Sequence, residues 1–319
     1  MSFKDIKGQE RAIQIIKSNI EHNRLKGGYL FTGQEGIGKK MAAKNLAKAI
    51  NCEKARPDSC DVCPSCIKIE KNQHIDVHVI EGEDSEIKID NIRQLKKDAN
   101  FRPYEARYKV FIIDNAHNLN AEAANALLKT LEEPPGHTLI ILITDKPRRL
   151  FKTIISRCTV VKFLPLVREE LEELLRRDFG LMGEPAHFLA YFSEGRPGAA
   201  FRLKDTDIFT QKNMIIDKLV LSDRFSSGDY SPEEKTQLKM GLNILSTWFR
   251  DVYMLKTGIA HSEIINADRK QGLLKSATHY SFMQLNRILN TISDSILYAE
   301  QNINTKLILH NLRAQLWKT

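Results

Sequence analysis

The sequence predicts an α/β domain built on a buried parallel sheet and followed by helical regions. Three observations predict it. A short strand-like run, Tyr29-Leu30-Phe31-Thr32, leads into the turn GQEGIGKK and then a helix-forming stretch. Two further runs, Val110-Phe111-Ile112-Ile113 and Thr138–Thr144 (TLIILIT), are apolar throughout, the pattern of strands covered on both faces. The final third of the chain instead carries apolar residues at helical spacing.

A length of 319 residues suggests two or three domains and a sizeable core. The net charge of +8 is mild over that length; it permits nucleic acid or acidic partners and proves neither. The opening residues, MSFKDIKGQE, lack the apolar core of a secretory signal, and no run approaches a membrane span. The expectation is a soluble, cytoplasmic protein. In a reducing compartment the five cysteines point to metal or free thiols rather than disulfides.

Residues 9–24 read as a helix with Ile13, Ile16 and Ile20 on one face, broken at Gly27-Gly28. The turn that follows has Gly33, Gly36, Gly38 and Lys39 at phosphate-loop spacing, G-x-x-x-x-G-K. Its glycines let backbone N–H groups converge on an anion, Lys39 would reach the β- and γ-phosphates, and the next helix offers its positive end. The competing reading is a glycine-rich turn with no ligand. The next residue should carry a magnesium-binding hydroxyl but is Lys40, a cation expected to repel the metal. Whether the loop still holds a nucleotide stays open.

Cys52, Cys60, Cys63 and Cys66 come next, spaced C-x7-C-x2-C-x2-C. Four thiolates suit tetrahedral zinc and exceed what a redox pair needs, and they leave no position for water, so the metal would be structural. Asp58 and Pro64 supply turn chemistry for the knuckle. Val77–Ile80 reads as a strand. His74 and His78 lie nearby in sequence, but four sulfurs already complete a zinc shell. Glu81–Glu86 reads as an acidic loop. Asp90 is then expected to cap a helix through Asn100, with Arg93, Lys96 and Lys97 outward.

The stretch Lys109–Pro135 organises the chain. Its strand ends in Asp114, placed at the carboxyl edge where ligands gather in open α/β sheets. Asn120 can cap the next helix, with Leu127, Leu128 and Leu131 as its apolar stripe and Pro134-Pro135 as its stop. In a phosphate-loop ATPase Asp114 would hold magnesium and an acid at position 115 would polarise water. Position 115 is Asn115, whose amide has no useful basicity. The competing reading of Asp114 is a structural strand-end carboxylate. Thr144 ends the next strand, as a phosphate-sensing hydroxyl or merely a strand-end residue. Arg148–Cys158 leads to a last strand, Thr159–Leu164, closed by Pro165.

Residues 166–212 read as a small helical domain, with a helix over Glu169–Arg177 and a turn at Ser193–Ala200. Ser222–Tyr230 reads as a loop, and Ser231-Pro232-Glu233-Glu234 as a helix start. Beyond it lie apolar stripes: Leu242, Leu245, Trp248, Phe249 and Val252, then Leu285, Leu289, Ile292, Ile296, Leu307, Leu309 and Leu312. These are core or subunit-contact faces.

Asp114-Asn115-Ala116-His117, Ala126–Pro135 (ALLKTLEEPP) and Ser156-Arg157-Cys158 together resemble the bacterial sliding-clamp loaders of the AAA+ class, whose members also carry a four-cysteine insert after the phosphate-loop helix. The resemblance implies an AAA+ P-loop domain with a zinc module (1–165, cysteines at 52–66), a helical lid domain (166–212) and an all-α collar domain (213–319). It implies a DNA-replication role beside gamma/tau-type ATPase subunits and a delta subunit, reaching primed DNA and the sliding clamp through the complex. The family's motor would have Ser or Thr at 40, Glu at 115 and an arginine near 198; this chain has Lys40, Asn115 and Gly198. The resemblance therefore implies a subunit that does not hydrolyse ATP itself and whose ATP binding is in doubt. Arg157, aimed by Ser156 and Cys158, would reach the γ-phosphate of a neighbour. Taken alone, Arg157 reads as a surface arginine or a structural ion pair rather than a finger. Two other readings compete: an active motor-type ATPase, and a stand-alone zinc-containing nucleic-acid-binding protein.

Overall fold

The computed structural model describes the chain except residues 26, 55–56, 83–85, 222–234, 259–262, 302 and 317–319. The expected loop at Ser222–Tyr230 and the expected helix start at Ser231–Glu234 lie outside the described residues. The chain divides into two compact units, Met1–Val167 with Gly195–Ala199, and Arg168–Glu194 with Ala200–Thr319.

The first unit is a five-stranded parallel sheet in the order β2-β3-β4-β1-β5. In chain order come α1 (Glu10–Glu21), β1 (Gly28–Thr32), α2 (Lys39–Asn51), α3 (Pro64–Glu70), β2 (Val77–Ile80), α4 (Ile89–Asn100), β3 (Lys109–Ile113), α5 (Ala121–Glu132), β4 (Thr138–Thr144), α6 (Lys152–Ile155) and β5 (Cys158–Lys162). Period-two alternation sends side chains to opposite faces. Leu139, Ile141 and Ile143 of β4 join Phe31, Val110, Ile112 and the α1 and α2 residues Ile16, Ile20 and Leu46. Ile140 and Leu142 join Leu30, Phe111 and Ile113 under Leu95, Leu127, Leu131 and Ile154 of α4, α5 and α6. Both faces are dry, which explains why β3 and β4 read as unbroken apolar runs.

Local signals act as expected in places and differ in others. Asn120 caps α5, accepting a hydrogen bond from the Ala123 N–H at 2.8 Å. Asp90 does not cap α4: Lys88 is the N-cap residue, and Asp90 sits in the first turn, paired with Arg93 at 3.1 Å. There a carboxylate favours the helix through the positive end of its dipole. Pro64 opens the short helix α3 instead of making a turn, because proline is preorganised for a first helical position and the Cys63 sulfur takes the cap.

The second unit is helical: α7 (Arg168–Phe179), α8 (Glu184–Phe192), α9 (Pro197–Lys204, begun in the first unit), α10 (Ile208–Ile216), α11 (Lys235–Lys256), α12 (Lys270–His279), α13 (Phe282–Glu300) and α14 (Thr305–Leu316). Leu242, Leu245, Trp248, Phe249 and Val252 are buried along α11 and Leu285 and Ile292 along α13. Leu309 and Leu312 are buried on α14, but Leu307 is 66% exposed; Ile308 takes the inward position instead. The fully buried Lys212 bonds both Asp268 oxygens, at 2.6 and 2.7 Å, tying α10 to the segment before α12. Among the described residues no helix is long and apolar enough to cross a membrane.

Candidate functional site

Parallel strands give the sheet a carboxyl edge and an amino edge, and the chemistry-bearing residues divide between them. At the carboxyl edge β1 runs into the phosphate loop. Gly33 has φ +146°, and a Cβ there would lie 2.4 Å from the Phe163 carbonyl oxygen, so only glycine fits. Gly38 is the left-handed N-cap of α2. Lys39 turns back into its own loop, donating to the Gly33 carbonyl at 2.6 Å and to the Gln34 carbonyl. Burial lowers its pKa, against the pull of Asp145, Asp114 and Glu35.

Lys40 is paired with two carboxylates at this edge. Its ammonium bonds Asp114 at 3.0 Å and also Glu81, drawing together the tips of β3 and β2. Burial works against the charge, but Glu81 and Asp114 prevail and hold the pKa above its ordinary value. The strand-tip carboxylate Asp114 is thus paired with an ammonium. Asn115 is exposed, in a left-handed conformation that asparagine tolerates, and donates its backbone N–H to Asp114 at 2.9 Å. Thr144 Oγ1 lies 3.1 Å from Nδ1 of His117, whose side chain is 5% exposed, and burial lowers the pKa of that imidazole more than the nearby Asp145 raises it. The Gly198 N–H donates to the Gly36 carbonyl at 2.8 Å, and a Cβ at Gly198 would lie 2.9 Å from that oxygen. Backbone thus closes on the phosphate loop at Gly198.

At the amino edge the pairing Gly28↔Cys158 places Arg157 just before β5, beside the start of β1. The β1 strand is five residues long, so about 13 Å of strand separates this edge from the phosphate loop, at about 3.3 Å per residue. Arg157 bonds Glu132 through Nε and Nη2 and the Thr153 carbonyl through Nη1 at 2.9 Å. Ser156 donates its hydroxyl to the same carbonyl at 3.2 Å. Cys158 packs against Gly28, where a Cβ would come within 3.0 Å of its sulfur, and burial pushes its thiol pKa up to about 12. That thiol anchors the turn and is poorly suited to be a nucleophile. A cleft of about 580 Å³ opens beside Arg157, lined by Leu25, Leu131, Glu132, Pro134 and Pro135 among others.

The four cysteines form a third centre. The sulfurs of Cys52, Cys60, Cys63 and Cys66 lie within 4.8 Å of one another and could hold a metal ion. The Cys63 N–H points to the Cys60 sulfur at 3.3 Å and the Cys66 N–H to the Cys63 sulfur at 3.5 Å. Burial would push the Cys63 thiol up, but backbone hydrogen bonds from Glu53 and Cys66 prevail and bring it down; Cys66 is pushed up by burial. Such N–H···S contacts suit thiolates, and a four-sulfur shell leaves no coordination position for water. His74 takes no part: its Nδ1 accepts from the Asp76 N–H at 3.1 Å. The fully buried Lys48 ties the knuckle to α2 through Asp61 at 2.8 Å and Glu70 at 2.6 Å.

A phosphate loop, a strand-tip carboxylate and a remote arginine on one parallel sheet, with helices following, define an AAA+-like α/β scaffold. Residues 8–167 match the family model described as "DNA polymerase III, delta subunit", and residues 232–316 match "DNA polymerase III, delta subunit, C terminal". The chain is 31% identical over 315 residues to DNA polymerase III subunit delta′ of Bacillus subtilis, covering 95% of this chain and 94% of that protein. It is 36% identical over 214 residues to subunit tau of Escherichia coli, covering 65% of this chain and 33% of tau. A gamma subunit-related protein of Thermotoga maritima shares the fold, with a TM-score of 0.50 at 18% identity over 97% of this chain and 98% of that one. The chain belongs to the delta-prime family of DNA polymerase III clamp-loader subunits.

Gly33, Gly36, Gly38 and Lys39 thus share one edge with Asp114, while Arg157 and Ser156 stand at the other. Sequence reasoning missed Glu81, Glu132 and Thr153. Glu81 was within reach, because it directly follows β2 and must share the carboxyl edge with Asp114. Thr153 acts through its carbonyl, which no side-chain pattern reveals.

Proposed function

We propose that this chain is the member of a clamp-loader assembly that has given up ATP hydrolysis and supplies Arg157 in trans to a neighbouring ATPase subunit. The observation that carries this is the position of Arg157 at the amino edge of the sheet, with its own phosphate loop at the carboxyl edge. A phosphate in reach of Arg157 must belong to another molecule. There the planar guanidinium would stabilise charge building on the γ-phosphoryl group in the transition state. Ser156 and Cys158 hold the turn that aims it.

On its own carboxyl edge the chain lacks the tools for hydrolysis. Asn115 cannot polarise water, Lys40 engages Asp114, and Gly198 brings no arginine. Zinc would be held by Cys52, Cys60, Cys63 and Cys66 as a structural ion. The partners on this reading are gamma/tau-type ATPase subunits and a delta subunit, with primed DNA and the sliding clamp reached through the complex, in the cytoplasm.

The purified chain should show no ATP hydrolysis above background, and no magnesium-dependent ATP affinity by calorimetry. Lys40→Thr should introduce magnesium dependence by freeing Asp114, still without hydrolysis, because Asn115 is unchanged. Turnover by the isolated wild-type chain at the rate of a motor subunit would establish the active-ATPase reading in its place.

A further inference from the structure

We propose that Glu132 is the positioning residue for Arg157, a reading that rests on Arg157 acting toward a neighbour's phosphate. Glu132 is the last residue of α5, ahead of Glu133 and the Pro134-Pro135 stop. A carboxylate in the last turn of a helix faces the negative end of the helix dipole, an unfavourable place for it. The compensating partner is the guanidinium of Arg157, 25 residues along the chain.

The geometry is specific. A guanidinium has five N–H donors in a rigid plane. Nε and one N–H of Nη2 go to Glu132 Oε1, and one N–H of Nη1 goes to the Thr153 carbonyl at 2.9 Å. Nη1 also donates to Ser156 Oγ, at 3.5 Å, and the second N–H of Nη2 is engaged by none of these three groups. That N–H lies on the end edge of the guanidinium, where a phosphoryl oxygen can accept it and compete for the long Nη1 bond to Ser156. Glu132 holds the Nε–Nη2 edge and Thr153 holds Nη1, which leaves the outer N–H of Nη2 for the ligand.

Stability does not explain the pair. The Glu132 side chain is 47% exposed and that of Arg157 32%, and exposed ion pairs contribute little to folding. What the pair restricts is rotation. A long, flexible side chain loses conformational freedom when it orders on a ligand, and a guanidinium already held in place has less of that cost to meet. The 580 Å³ cleft lined by both residues leaves the bonded pair open to an approaching molecule. Glu132 touches no reacting atom; it acts through Arg157.

The test uses the complete complex, reconstituted with its motor and delta subunits, and follows DNA-stimulated ATP hydrolysis. Glu132→Ala is expected to lower kcat about tenfold with KM for ATP essentially unchanged, as expected when the aim of a catalytic group is loosened. Glu132→Gln, which keeps one acceptor oxygen, should fall between. In an Arg157→Ala background, Glu132→Ala should cause no further loss, because Glu132 has nothing left to position. A Glu132→Ala complex as fast as wild type or faster would overturn the proposal; a faster one would identify the pair as a restraining latch. A further drop in the double variant would overturn it too, by showing that Glu132 acts elsewhere. If Arg157→Ala alone leaves the rate unchanged, the trans role of Arg157 fails and this inference with it. If Arg157→Ala slows hydrolysis and Glu132→Ala does not, only the inference fails.

Discussion

Replacing Arg157 by Ala should slow hydrolysis at the site it serves by about 10³–10⁵, the range that arginine fingers supply. The loss should appear in kcat of the reconstituted complex, with clamp loading reduced in parallel and assembly retained. Assembly is retained because the side chain is partly exposed and its ion pair with Glu132 is a surface one, worth at most about 1 kcal/mol to folding. Arg157→Lys should recover little. Lysine keeps the charge but has no planar fork and cannot hold both Glu132 and two phosphoryl oxygens. DNA-stimulated ATPase measured for wild type, Arg157→Ala and Arg157→Lys checks this, and an unchanged Arg157→Ala rate would remove the assignment.

Loss of the proposed zinc should be the largest single effect on stability. The chain as purified without chelator should carry one zinc ion, and Cys63→Ser should carry none. Cys63 is central to the cluster: it is buried, its sulfur caps α3, and its N–H points to the Cys60 sulfur. Structural zinc binding is a large folding term, with apparent values of about 10–16 kcal/mol in isolated zinc-finger peptides. Here the knuckle is held as well by Lys48 through Asp61 and Glu70, so only part of that is at stake. A fall of roughly 10 °C in melting temperature is expected, several kcal/mol at about 2–4 °C each. Elemental analysis with thermal melts of both proteins checks it. Equal melting temperatures for wild type and a metal-free Cys63→Ser protein would show that the cysteine cluster does not support the fold.

Much of this architecture was legible because its signals are local. Strands buried on both faces are apolar through their middles, so Val110–Ile113 and the Leu139–Ile143 stretch of Thr138–Thr144 stood out unaided. The glycines of the phosphate loop are required by backbone conformations other residues cannot adopt, and four cysteines at metal spacing have few other uses. Less legible were features set by tertiary partners. Lys40 read as a charge that drives metal away, whereas it is an ion-pair partner of Asp114 and Glu81, a contact made only once β2 and β3 lie side by side. Glu132 read as one more residue of a family motif; its carboxylate gains a role only when β5 returns beside β1. The N-cap of α4 is Lys88 instead of Asp90, and a carboxylate in the first turn satisfies the dipole as well. Leu307 fitted an apolar stripe yet faces outward, because a periodic pattern cannot say which of several adjacent apolar residues faces inward. The separation of Arg157 from its own phosphate loop is likewise a property of strand order and direction, invisible in residue spacing.

The most direct measurement is a cryo-electron microscopy structure of the complete complex, bound to primed DNA and trapped with ADP and a metal fluoride that mimics the transferring phosphoryl group. The account predicts the Arg157 guanidinium within about 3 Å of the fluoride in a neighbouring subunit's site. It also predicts no such analogue at the Lys39 loop of this chain. An Arg157 turned away from every neighbouring nucleotide, or a fully occupied analogue with magnesium at Lys39 and Asp114, would contradict it.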